Sequence, residues 1–135
     1  NKNKHILEDK EIIIINYFGA LNSYFKYVKS VFIGKSMIEK LKHDGGQNPI
    51  EAAKLNCKIY HGPYVYNFDD IYKILQKNGI SKQINNYNEL SYNLIGDFNN
   101  YKKQNDKISD SINILGQKTF TNTMRLINNF IRDDA

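Results

Sequence analysis

Between Lys42 and Ala53 the chain reads Lys-His-Asp-Gly-Gly-Gln-Asn-Pro-Ile-Glu-Ala-Ala, residue types that suit the capture of an anion. The adjacent glycines Gly45 and Gly46 let the backbone bend sharply and approach a ligand closely. Asn48 stands where a helix N-cap would, Pro49 where the first helical residue would, and Glu51 at the N3 position of a capping box. A glycine turn that opens into a capped helix brings free backbone N–H groups and the positive dipole end together. The chemistry this allows is electrostatic, because fixed dipoles can stabilise charge on a phosphate with no metal. Ser36 lies just past the apolar run that ends at Gly34, where its hydroxyl can reach such a phosphate. Each of these has a plainer role beside it. The glycine pair can be a structural turn, Glu51 can satisfy the Asn48 backbone N–H, and Asn48 can be only a cap. His43 and Asp44 invite a general-base reading, but adjacent loop residues need not face one another, and a solvated pair is simpler.

The elements that must position these residues alternate between strand and helix signals. Ile12–Ile15 is an unbroken β-branched run, the mark of a strand covered on both faces. Gly19 to Val28 has Leu21, Tyr24, Phe25 and Val28 on one helical face, an aromatic stripe that fits a core. Val31–Ile33 is a second strand, and Lys35 to Gly46 is loop with one helical turn at Met37 to Leu41. A short helix at Pro49–Leu55 leads to a third strand at Lys58–Tyr60, closed by Gly62-Pro63. Asn67 or Asp69 caps the next helix, which buries Ile71, Ile74 and Leu75 and ends at Gly79 as its C′ residue. Ile80–Ile84 is a less apolar strand near the sheet edge, and Asn86 or Asn88 caps a helix through Phe98. Two more helical faces follow, Ile108, Ile112 and Leu115, then Phe120, Met124, Ile127 and Ile131, with Gly116 at the change of phase. This alternation predicts an α/β fold with a parallel sheet and right-handed crossovers.

At 135 residues the chain is one domain, and 41% hydrophobic against 24% charged residues makes it globular rather than disordered. A net charge of +5 suits an anionic partner, although scattered surface lysines produce the same figure. The lysines form no block and no nucleic-acid-binding signature appears, so no nucleic acid is expected as a partner. A single cysteine, Cys57, excludes an internal disulfide and fits a reducing compartment. Cys57 and His61 share strand parity, but no second ligand pair follows, so a small buried residue and a loop histidine are expected rather than a zinc site. The sequence has no signal peptide or membrane-length apolar run, and it begins without methionine partway into an α/β repeat, which suggests a fragment.

Three motifs occur in fixed order: Phe32-Ile33-Gly34-Lys35-Ser36, Gly45-Gly46-Gln47-Asn48-Pro49-Ile50-Glu51-Ala52-Ala53, and His61-Gly62-Pro63-Tyr64-Val65-Tyr66-Asn67-Phe68. The series resembles the donor-binding half of the bacterial Kdo (3-deoxy-D-manno-octulosonic acid) transferases. Their pattern is Gly-Gly-Ser at a strand end, Gly-Gly-His-Asn-Pro-Leu-Glu, and Gly-Pro-His-(Thr/Tyr)-x-Asn-Phe. The resemblance runs from about Glu11 to Ile84, with a weaker helical match beyond. It departs from the pattern at Lys35, which replaces a glycine, and at Gln47 and Tyr64, which replace histidines.

The resemblance implies a Rossmann-like sheet flanked by helices, part of the C-terminal nucleotide-sugar-binding domain of a GT-B glycosyltransferase, with C-terminal helices. Residues 1–10 would be a lead-in, 11–84 the α/β core and 85–135 a mostly helical end. The implied reaction is inverting transfer of Kdo from CMP-Kdo to a lipid A precursor, lipid IVA, in lipopolysaccharide biosynthesis. It would take place at the cytoplasmic face of the bacterial inner membrane, with contact to the membrane surface through the full-length protein. No cofactor and no metal are implied. Ser36, Gly45, Gly46, Gln47, Asn48, Glu51 and Asn67 would bind the donor, with Glu51 on the ribose hydroxyls and Phe68 shaping the pocket. The catalytic base of the resembled enzymes is a glutamate of the N-terminal domain, so no catalytic residue is expected here and the chain alone should be inactive. Two other readings remain open: another GT-B transferase with a different nucleotide sugar, and a non-catalytic α/β module docking through the face from Phe120 to Ile131.

Overall fold

The computed structural model describes residues 11–16, 19, 21–100, 113, 116–117 and 121–129. Among these residues three strands form the sheet, β1 (Ser30–Ile33), β2 (Lys58–His61) and β3 (Ser81–Gln83). They are all parallel, in the order β1-β2-β3, with Val31 opposite Ile59 and Ile59 opposite Ser81. Helix α1 (Leu21–Phe25) precedes the sheet, α2 (Ile50–Lys54) links β1 to β2, α3 (Asp69–Lys77) links β2 to β3, and α4 (Tyr87–Asn99) follows. Two single 3₁₀ segments, Glu39–Asp44 and Tyr66–Phe68, shape the connections. The expected α/β class with a parallel, Rossmann-like sheet is what the chain forms.

Strand register divides the sheet into two unlike faces. Ile33, Ile59 and His61 share one face and pack with Ala52 and Ala53 of α2 and Tyr72 and Leu75 of α3, all buried. The two alanines let α2 lie close to the sheet, and full burial of a side chain such as Ile59 contributes about 2–3 kcal/mol. Ser30, Phe32, Lys58, Tyr60 and Lys82 point to the other face, and α4 is held there by polar contacts. Asp97 of α4 accepts hydrogen bonds from the Ser30 hydroxyl at 2.6 Å and the Tyr60 hydroxyl at 2.7 Å, both on one carboxylate oxygen. Lys82 donates to Asn93 at 3.0 Å and pairs with Glu89 at 3.7 Å. Burial first, then the Asp97 hydrogen bond and charge, push the Tyr60 phenol well above its usual pKa.

Helix ends follow local chemistry. Gly79 takes φ +70°, and the N–H groups of Gly79 and Ile80 donate to the carbonyls of Gln76 (2.9 Å) and Leu75 (2.8 Å). This paired bond pattern closes α3 as expected of a C′ glycine. Asn86 caps α4 through its side-chain oxygen, which accepts from the Glu89 N–H at 2.9 Å. Cys57 is buried just before β2, and its thiol donates to the Phe25 carbonyl at 3.3 Å, fastening the end of α1 to the sheet. Burial pushes this thiol's pKa up.

Several expectations need correction. Ile12–Ile15 is not a strand: its residues pair with nothing in the sheet, and Ile12 and Ile14 are 81% and 89% exposed. Among the described residues the sheet ends at β1 and none covers a further strand, so the run gains nothing from β geometry. Helix α1 covers five residues rather than Gly19 to Val28, and none of them is fully buried. The loop after β1 has its 3₁₀ turn at Glu39–Asp44, later than expected. Neither Asn67 nor Asp69 caps α3: Phe68 stands at the cap position, with no side-chain bond, because the Tyr66–Phe68 turn runs directly into the helix. The lead-in at 1–10 and the face of Ile108, Ile112 and Leu115 lie outside the described residues. Residues 121–129 are helical with Met124 and Ile127 partly exposed, whereas Phe120 and Ile131 also lie outside.

Candidate functional site

The loops that leave β1 and β2 at their C-terminal ends meet, the usual place for a ligand on a parallel sheet. Ser36 joins them. Its buried hydroxyl donates to the Ile33 carbonyl at 2.6 Å and accepts the Gly62 N–H at 2.8 Å, and its own carbonyl accepts the Tyr64 N–H at 2.9 Å. Its O–H is thus engaged within the fold, a structural role that the sequence did not reveal. The approach requires Gly62, since a Cβ there would fall 2.3 Å from the Ser36 carbonyl oxygen.

The glycine turn is held from several sides. Gly45 (φ +64°) ends the 3₁₀ segment by donating to the Lys42 carbonyl at 3.2 Å, and Gly46 follows at φ +77°. Asn67 clamps the turn: its backbone N–H donates to the Gly45 carbonyl at 3.3 Å and its side-chain amide to the Asp44 carbonyl at 2.8 Å. A Cβ on Gly45 would lie 2.4 Å from the Asn67 side chain, and one on Gly46 3.0 Å from the Tyr64 carbonyl oxygen. The Tyr66 hydroxyl donates to the His43 carbonyl, and the Tyr72 hydroxyl to the Gln47 carbonyl at 3.0 Å. The amides of Gly46, Gln47 and Asn48 donate to no group among the described residues. Unpaired backbone donors at a turn can bind an anion, and of these three residues Gln47 and Asn48 are exposed and Gly46 is buried.

The helix after the turn differs from the expected capping box. Asn48 does accept a backbone hydrogen bond, from the Ile50 N–H at 2.9 Å, but Pro49 stands at the cap position. The Glu51 carboxylate turns instead towards Lys54 and Asn22, each at 3.5 Å, and leaves the Asn48 backbone N–H alone. It is an exposed acceptor. With only five residues in α2, the dipole adds little, so anion capture rests on the turn itself.

Lys35 holds φ +64°, a left-handed conformation that costs a lysine about 1–2 kcal/mol and glycine almost nothing. Its ammonium lies 3.0 Å from a carboxylate oxygen of Asp44, beside the glycine turn. The loop pair His43–Asp44 is therefore split, with Asp44 on Lys35 and the exposed His43 joined to Tyr66 through its carbonyl.

His61 is the last residue of β2 rather than a loop histidine, and it is fully buried. One ring nitrogen lies 2.7 Å from the Gly62 carbonyl, the other 3.0 Å from the Gln76 amide, and the Tyr72 ring stands 4.2 Å away. Burial lowers its pKa, only partly offset by the bond to Gly62. Folded His61 stays neutral where unfolded His61 would take a proton, so stability should fall as pH drops through about 6.5. Urea midpoints of the wild type at pH 7 and pH 5.5 should differ, and His61→Asn should remove most of that difference.

An open depression of about 440 Å³ adjoins the site, lined by Tyr66, Asn67, Phe68, Asp69, Asp70 and Ile71. Two aspartates line it, Asp69 paired with Lys73, so its lining carries no net positive charge for an anion. Among the described residues no three His, Cys, Asp or Glu side chains gather as metal ligands, and no helix is long and apolar enough to cross a membrane.

Fold and site together define an α/β protein of Rossmann-like type, with a backbone-donor turn at the C-terminal edge of a parallel sheet. No family model matches the chain. Over 80 residues the chain is 25% identical to a 3-deoxy-D-manno-octulosonic acid transferase of Aquifex aeolicus (strain VF5). The aligned stretch takes in 59% of this chain and 22% of that protein's length. The chain is thus weakly similar to a part of a sugar transferase.

Proposed function

We propose that the chain is the donor-binding part of a glycosyltransferase, and that the full-length protein transfers Kdo from CMP-Kdo to a lipid A precursor, lipid IVA. The observation that carries this reading is the interlocking of three separate motifs. Ser36, the Gly45-Gly46 turn and the Gly62–Asn67 stretch are tied into one assembly by Ser36–Gly62, Ser36–Tyr64 and Gly45–Asn67 hydrogen bonds. In this mechanism the amides of Gly46, Gln47 and Asn48 hold the donor phosphate and stabilise the charge that grows on it as the sugar departs. Glu51 accepts from the ribose hydroxyls, and the Gln47 and Asn48 side chains lie beside the phosphate. Ser36 and Asn67 act by fixing the two loops. The base that activates the acceptor comes from outside this chain, and the full-length protein works at the cytoplasmic face of the inner membrane.

Titrating the full-length protein with CMP-Kdo tests this directly, and no binding would overturn it. Backbone NMR of the chain with CMP, against UMP and inorganic phosphate, locates the site: CMP-selective shifts are expected at Gly45, Gly46, Asn48 and Glu51. Glu51→Gln should weaken CMP binding about tenfold, the loss of roughly 1.4 kcal/mol of charge-assisted hydrogen bonding, and leave inorganic phosphate unchanged. A second reading, a different nucleotide sugar on the same turn, is favoured by Gln47 and Tyr64 standing in place of two histidines. Displacement of bound CMP by other nucleotides separates the two.

A further inference from the structure

We propose that Lys35 is the cation that grips the ligand's phosphate at the glycine turn, and that Asp44 holds its ammonium in place until the phosphate takes it over. This rests on the donor-binding reading above. Lys35 directly follows the Gly34 bend beyond β1, and φ +64° is a conformation that a lysine enters only at a cost. In that conformation its ammonium lies 3.0 Å from Asp44, the residue before Gly45. The Gly46 amide is two residues further along the chain, so the ammonium is held at the residue that leads into the turn.

The charges around that spot fit an exchange. Both side chains of the Lys35–Asp44 pair are about half exposed, 47% and 45%, so the pair is weakly held and can part. Lys42 is occupied by Glu39 at 3.8 Å, and the Asp44 carboxylate pairs with Lys35. A phosphate offers more charge and more acceptor oxygens than a single carboxylate, and an ammonium suits it as a compact point charge. Asp44 neutralises the lysine when no ligand is bound and repels the anion once one is. The two residues therefore act in opposite directions on affinity.

Calorimetric titration of the full-length protein with CMP, cytidine and inorganic phosphate tests this in the wild type and in Lys35→Met, Lys35→Arg and Asp44→Asn. Lys35→Met should weaken CMP at least about tenfold, Lys35→Arg should stay within about threefold, and Asp44→Asn should tighten CMP about threefold. Cytidine, which lacks the phosphate, should bind all four proteins alike. Unchanged CMP affinity in Lys35→Met overturns the inference and leaves the donor-binding reading standing. Weakening by Asp44→Asn in parallel with Lys35→Met also overturns it, because the pair would then be a structural latch. A wild type that binds neither CMP nor phosphate overturns both readings. Lysine-dependent binding of phosphate with no preference for CMP supports the grip and overturns the nucleotide-sugar assignment.

Discussion

Gly62→Ala should destabilise the protein by about 3 kcal/mol, one of the largest effects expected of any single added methyl group in this chain. The methyl group would fall 2.3 Å from the Ser36 carbonyl oxygen and 2.6 Å from its carbonyl carbon, and backbone atoms cannot swing aside as a side-chain tip can. Relief requires the loops after β1 and β2 to part, which breaks the Gly62–Ser36 and Tyr64–Ser36 hydrogen bonds together. A melting-temperature drop of roughly 10 °C follows for a domain of this size. Gly34→Ala is the matched control: an added Cβ there meets nothing within 4 Å, and the change should be nearly neutral. Equal melting temperatures for the two variants would mean that the loops are not in this contact. Any Gly62→Ala protein that remains folded should also lose CMP-selective shifts at Gly45 and Gly46, because the turn is held through the second loop.

Asp97→Ala should cost about 2 kcal/mol and free α4 from the sheet. Asp97 receives two short O–H···O bonds, from a strand end on β1 and a buried tyrosine on β2, and no residue of α4 is fully buried. Polar contacts therefore hold much of the helix, beside the half-buried Leu90 and Leu94, and removing their centre takes away the acceptor of the Tyr60 hydroxyl. Amide exchange should accelerate along α4 and stay slow in β2. Tyr60→Phe combined with Asp97→Ala should fall short of additivity by about 1 kcal/mol. Full additivity would show that the two side chains do not interact. Alkaline pH acts through two buried phenols, since Tyr60 and Tyr72 both have raised pKa values, Tyr72 by burial alone and Tyr60 by burial first and then Asp97. The unfolded chain releases these protons near pH 10 and the folded one does not, so stability should fall as pH rises through 10.

Strands and helices whose register is set by one apolar face were legible in the sequence. Val31–Ile33, Lys58–Tyr60, the Ile71/Leu75 stripe with Gly79, and Asn86 before α4 all appear within a residue or two of their expected bounds. Ile12–Ile15 misled because a β-branched run reports only a preference for strand geometry, and beside the open edge of β1 the described residues supply no cover for a further strand. The glycine turn was visible as composition, but its supports were not. Nothing in the residue types says that Asn67 would clamp Gly45 instead of capping α3, or that Ser36 would turn inward. Both depend on contacts across more than 20 residues of chain. The Asp97 clasp is illegible for a related reason: strand parity sets Ser30 and Tyr60 opposite the core, but nothing in the residue types brings Asp97 across 37 or more residues of chain to meet them.

Cys57 gives the molecule a built-in clock. The chain has one thiol, and it is closed off beneath the end of α1 with its hydrogen on the Phe25 carbonyl. A reagent in solution can alkylate it only during excursions in which that short helix lifts or the sheet opens. Labelling kinetics thus count those excursions directly, without any introduced probe. At high reagent concentration the rate becomes that of opening itself, and at low concentration it reports the fraction of time spent open.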